Sequence, residues 1–213
     1  NNVAVGASAG QAITTGSSNT VVGQNALQAT TTASNNTAVG FQSLYTNTTG
    51  ATNVAVGKDS MLLNTTGADN AALGTESLRN NTTASSNSAF GYRALCANTT
   101  GTANAAVGQS ALDANTTGSN NTAMGRNSLG ANTTAGSNTA FGGNTLSTNT
   151  TGQFNTAVGY DSLLSSTTAS QNTSVGTNSM RLNTTGASNV AIGHNALDAN
   201  TTGGNNIAIG DGA

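Results

Sequence analysis

Asn36-Thr37-Ala38-Val39-Gly40-Phe41-Gln42-Ser43-Leu44-Tyr45-Thr46-Asn47-Thr48-Thr49-Gly50-Ala51-Thr52 runs straight into Asn53-Val54-Ala55-Val56-Gly57, where the cycle starts again. The unit is seventeen residues long and recurs thirteen times without insertion or deletion, marked by a glycine in each copy from Gly6 to Gly210. So short and so rigid a period is what a solenoid produces, because each coil must stack on the last with its side chains in register. Residues 1–213 therefore read as one repeat array.

With Asn1 taken as repeat position 1, the rows of the array can be followed separately. Position 2 is always Asn, as at Asn36, Asn53 and Asn70, and position 6 is always Gly, as at Gly40, Gly57 and Gly74. Position 4 is Ala except at Val21 and Ser174, position 5 is always apolar, and position 10 is Leu or Met except at Gly10. Positions 14 and 15 are both Thr in every full copy, as at Thr48-Thr49 and Thr65-Thr66.

This pattern predicts strands. Alternation across positions 2 to 5 places positions 3 and 5 on one face and position 4 on the other. The glycine that follows supplies a corner. The small-Leu pair at positions 9 and 10 reads as a second short extended segment, and Asn-Thr-Thr-Gly as a second corner. A stretch such as Gly40 to Tyr45 would fit one helical turn, but the density of Asn, Thr and Gly opposes a stable helix. Proline is absent from the chain, as expected where every backbone donor serves a ladder between coils. The fold class expected is all-β: a parallel β-solenoid or β-roll of thirteen strict 17-residue repeats. At the usual strand spacing it would make a rod about 58 Å long.

Two large apolar side chains per coil, such as Val39 and Leu44, are too few to offset the ordering of the whole unit. Ladder hydrogen bonds, stacked Asn and Thr rows and association with other chains must supply the rest. The small residue at position 4 fits close packing against another backbone, with positions 3 and 5 inside. The alternative is a thin coil with Ala inside and positions 3 and 5 outside. The always-apolar position 5 favours the first arrangement and a multi-chain assembly.

The strings Asn53-Val54-Ala55-Val56-Gly57, Asn189-Val190-Ala191-Ile192-Gly193 and Asn206-Ile207-Ala208-Ile209-Gly210 resemble the N-S-V-A-I-G signature of trimeric autotransporter adhesin heads. The accompanying Ala-Leu and Asn-Thr-Thr-Gly elements are similar to shaft repeats of phage and bacterial tail fibres. The resemblance covers every coil. It implies a left-handed β-roll, assembly as a homotrimeric rod and an adhesive role outside the cell, at a cell or virion surface. The strict period departs from the less regular adhesin heads, and these residues show no neck motif, coiled-coil stalk or membrane anchor.

Only five basic and seven acidic residues occur, with a net charge of −2, and no basic patch follows a nucleic-acid backbone. Nucleic acid is not an expected partner, and no apolar run reaches membrane-spanning length. The expected partners are copies of the chain itself, then cell-surface glycans or proteins. The chain starts at Asn1 without Met and stops within a repeat at Ala213. It reads as a segment of a longer or processed protein whose bare solenoid ends could stack on other copies.

The charges fall at positions 7, 8 and 11 except for Asp69, which defines an outer band. Phe41, Tyr92, Tyr160 and His194 hold position 7 and Tyr45 position 11, a candidate adhesive surface for sugars or a partner. The stacked Thr-Thr rows suggest a less favoured ice-binding surface, with one of each pair expected to point inward. Asn47, Asn64, Asn81, Asn98, Asn115, Asn132, Asn149, Asn183 and Asn200 each begin an Asn-Thr-Thr glycosylation pattern. Glycans there would require a suitable secretory pathway and would crowd on successive coils.

One His and one Cys in the chain leave no basis for a His metal cluster or a Cys-His pair. No enzyme activity, cofactor or metal is expected. Cys96 reads as a surface thiol outside any intrachain disulfide. The expected role is a structural, adhesive fibre segment; a self-assembling extracellular filament is the alternative.

Overall fold

The computed structural model describes residues 1–213 as two compact units, Asn1–Asn104 and Ala105–Ala213. The period runs through the boundary unchanged. Each unit is an all-β parallel solenoid with one three-residue strand per coil, at positions 3 to 5. In the first unit the strands run from Val3–Val5 to Ser88–Phe90, and in the second from Ala105–Val107 to Ile207–Ile209. Within each, successive strands pair in parallel one repeat apart, as in Thr37↔Val54, Ala38↔Ala55 and Val39↔Val56.

Pairing continues beyond the strands. Leu27 N donates to Ser43 O at 2.9 Å, Ala29 N to Tyr45 O at 3.1 Å, Thr48 N to Thr65 O at 2.9 Å and Asn35 N to Ser17 O at 3.0 Å. Donors on every side of the coil reach a neighbouring coil, so a proline on any side would break a rung.

The corner after the strand needs glycine for two reasons. Gly40 has φ 132°, and a Cβ there would lie 2.5 Å from the carbonyl oxygen of Gly57 in the next coil. Positions 1, 8 and 10 then enter the left-handed region, as Asn35 (φ 61°), Gln42 (φ 54°) and Leu44 (φ 50°) do. Positive φ at positions 8 and 10 overturns the second extended segment and also rules out the helical turn. Positions 6 to 13 instead fold as two successive turns, closed by Ser43 N to Gly40 O at 3.4 Å and Asn47 N to Leu44 O at 3.2 Å. Asn and Asp recur at position 8 because their short polar side chains tolerate this conformation best.

The strand faces are the reverse of the favoured arrangement. Position 4 points into the coil: Ala38, Ala55, Ala123 and Ala157 are fully buried, as are Leu44, Leu112 and Leu129 of position 10. Positions 3 and 5 face outward. The interior is so thin that an Ala row beside a Leu row fills it, which fixes the size of both. The first coil shows the rule by exception. Gly10 lacks the usual Leu, and the space beside it holds the Cδ1 of Ile13 and the Cγ2 of Val21, 2.9 and 3.8 Å from where a Cβ would stand. Both neighbours are larger than the residues usual at their positions, so volume is restored. The polar exception, Ser174, accepts a bond from Ser162 Oγ at 2.8 Å and donates to Ser179 O at 2.9 Å.

Candidate interaction surfaces

Two Asn ladders brace the coil from within. Asn53 N donates to Asn36 Oδ1 at 2.9 Å and Asn70 Nδ2 to Asn53 Oδ1 at 3.1 Å. At position 13, Asn64 Nδ2 reaches Asn47 Oδ1 at 2.8 Å and Asn81 Nδ2 reaches Asn64 Oδ1 at 2.7 Å. The two ladders meet on one carbonyl: Asn36 and Asn47 both donate to Gly50 O, at 3.0 and 2.9 Å. These amides bond one another and the backbone, which occupies the groups a cation would need.

Asn47, Asn64, Asn81, Asn98, Asn115, Asn132, Asn149 and Asn183, eight of the nine glycosylation-pattern residues, are fully buried. Each points its amide into the coil, so the folded solenoid has no room for a glycan on any of them. Ser166 interrupts this ladder, and Asn149 Oδ1 and Ser166 Oγ are both buried without a partner.

The Thr pair divides its work. At position 14 the hydroxyl bonds the next coil, as Thr48 Oγ1 does to Thr65 O at 3.0 Å and Thr65 Oγ1 to Thr82 O at 2.9 Å. Position 15 is exposed in every full copy, from Thr15 to Thr202. Neither Thr turns fully inward, contrary to expectation, because the inward places on this side are taken by Asn at position 13 and Gly or Ala at position 16.

Outside the strand lies the feature that sequence reasoning placed on the wrong face. In the first unit position 5 carries Val5, Val22, Val39, Val56, Leu73 and Phe90; in the second, Val107, Met124, Phe141, Val158, Val175, Ile192 and Ile209. All are half-buried or exposed, with Leu73 at 45% and Phe141 at 53%. Neither position 3 nor position 5 holds a charged residue in any copy. The signal that would have located this row was its variation in size, from Val to Phe, which a thin interior could not accept.

The outer band behaves as expected at position 7, where Phe41, Tyr92, Tyr160 and His194 are exposed. Tyr45 is half-buried. Charges pair between coils, Arg93 Nη1 with Glu76 Oε2 at 3.7 Å and Arg181 Nε with Asp198 Oδ1 at 3.1 Å, and a hydrogen bond of 2.8 Å joins His194 Nδ1 to Asp211 Oδ1. The hydrogen bond from Arg181 to Asp198, and then the carboxylate's charge, raise the guanidinium above its ordinary pKa. Cys96 at position 11 is not a surface thiol but 5% exposed. Phe154 at position 1, 60% exposed, is an outward aromatic the repeat pattern did not single out. No helix is long and apolar enough to cross a membrane.

No protein-family model, curated protein or solved structure matches the chain.

Proposed function

We propose that this chain is a structural segment of an extracellular fibre, which associates with copies of itself through the position-5 row and presents its outer band for attachment. The observation that carries the reading is an uncharged apolar row lying on the surface of each unit. A contiguous apolar surface of this kind is characteristic of an interface. Its repeat equals the coil spacing, so a second copy of the chain matches it over many coils.

The adhesin and tail-fibre resemblance adds a homotrimer as the expected assembly, at a cell or virion surface and without catalytic chemistry of its own. Mass measurement in solution, with electron microscopy of the same sample, tests it. A discrete particle of three chain masses is expected, and open-ended polymers would favour the filament form. A monomer that persists at micromolar concentration would sink both. Placing Lys at Phe141 and Val158 together is expected to lower the assembled mass.

A second reading rests on a separate observation, the exposed Thr at position 15 in all twelve full copies. A regular hydroxyl and methyl row would order water and bind ice. Thermal hysteresis and ice shaping by the purified chain are its test, and ordinary freezing behaviour would dispose of it.

A further inference from the structure

We propose that the second unit carries a saccharide-binding shelf centred on Tyr160, which takes one pyranose ring of a surface polysaccharide. The proposal rests on the fibre reading only in supposing that the outer band meets an outside surface.

Of the exposed aromatic rings at position 7, only that of Tyr160 follows a glycine at the same position of the preceding coil, Gly143. A Cβ at Gly143 would stand 3.4 Å from Cδ2 and 3.6 Å from Cε2 of the Tyr160 ring. One edge of the ring therefore occupies the space that a side chain would fill, while the residue stays 55% exposed. Phe41 and Tyr92 follow Gln24 and Thr75, which carry side chains at that position.

A polar pair is fixed beside the ring. Asn144 Nδ2 donates to Asp161 Oδ1 at 3.1 Å. Asp161 N donates to Gly143 O at 3.1 Å and Asn144 N to Arg126 O at 2.9 Å, which ties both residues to the ladder. Asp161 Oδ2 and the Tyr160 hydroxyl make no hydrogen bond within the chain; Asp161 is half-buried, and its charge also acts on Arg181.

An uncovered, rigid aromatic ring beside a held carboxylate matches a pyranose, which has an apolar C–H face and a rim of hydroxyls. The C–H face stacks on Tyr160, a large contact surface that loses little conformational freedom. Two ring hydroxyls reach the carboxylate and the phenol. The Asp161 carboxylate disfavours a phosphate at its own oxygens. A single shelf would bind weakly, but several aligned copies in one assembly would add avidity.

The test is electrophoresis of the full chain through native gels containing mannan, galactan, alginate or hyaluronan, with solution mass measured on the same samples. Retardation in at least one gel is expected; a neutral or an acidic gel tells which sugar class the shelf takes. Tyr160→Ala should lose at least tenfold in apparent affinity at unchanged assembled mass, Asp161→Asn several-fold with the ring kept, and Tyr92→Ala nothing. Retardation in no gel, an unchanged Tyr160→Ala, or an equal loss in Tyr92→Ala would each overturn the proposal. Because mass is read independently, loss of sugar binding in an intact assembly is distinct from failure of the fibre reading.

Discussion

Position 10 inside the coil and position 5 outside it are both restricted to apolar residues, but not in the same way. Inside, size is fixed: Leu or Met fills every copy except Gly10, and there Ile13 and Val21 restore the volume. Outside, only polarity is fixed, and Val, Leu, Met, Phe and Ile all occur. A closed interior selects for volume as well as apolarity. A surface row held apolar but free in size supports the proposed association with other copies of the chain.

Substitution at matched positions is the most direct way to break that comparison. Leu129→Ala opens a cavity beneath a fully buried side chain and should cost about 2–5 kcal/mol in denaturant unfolding. Val158→Ala, on the outer row, removes fewer buried atoms and should cost less than about 1 kcal/mol under conditions that keep chains separate. Equal losses would mean the two rows are not different in kind.

The corner glycines sharpen the same contrast, because they show how close successive coils lie. Gly57→Ala combines a φ of 135° with a Cβ 2.5 Å from the carbonyl oxygen of Gly74. A loss of about 1–3 kcal/mol is expected from strain of this kind, read as a lowered unfolding midpoint. An unchanged midpoint would show that the coils can part at this corner.

Much of this was legible in the sequence. The period gave the coils, the strand at positions 3 to 5 and the Gly corner, because each depends on local chemistry repeated in step. The orientation of the strand was not legible, since alternation separates position 4 from positions 3 and 5 without saying which face is inside. Nor were the turns at positions 8 and 10, because Leu44 at φ 50° contradicts the ordinary preference of Leu. Burial of its side chain offsets that local cost. The Tyr160 shelf was half visible: the exposed ring could be read from its position, whereas the part played by Gly143, one coil away, required the fold.

Where the inner Asn ladder is interrupted, a gain in stability is predicted. Thr30 also replaces Asn at position 13, yet Asn47 Nδ2 still bonds its hydroxyl at 3.1 Å. Ser166 makes no such link, and Asn149 Oδ1 is left buried and unpaired. Ser166→Asn should restore the rung and stabilise by about 1–3 kcal/mol, the usual penalty for a buried unsatisfied group. No gain in the unfolding midpoint would mean that the ladder is not limiting there.

The smallest effects separate the two members of the Thr pair. Thr65→Val deletes the hydroxyl that bonds Thr82 O at 2.9 Å and should cost about 0.5–1.5 kcal/mol. Thr66→Val keeps the branched shape at an exposed position whose hydroxyl bonds nothing in the chain, and its unfolding midpoint should not move. That pair of results would account for the strict Thr at position 14 by folding alone. It would leave the equally strict Thr at position 15 without an account in folding. A measurable loss in Thr66→Val would return that row to the structural side.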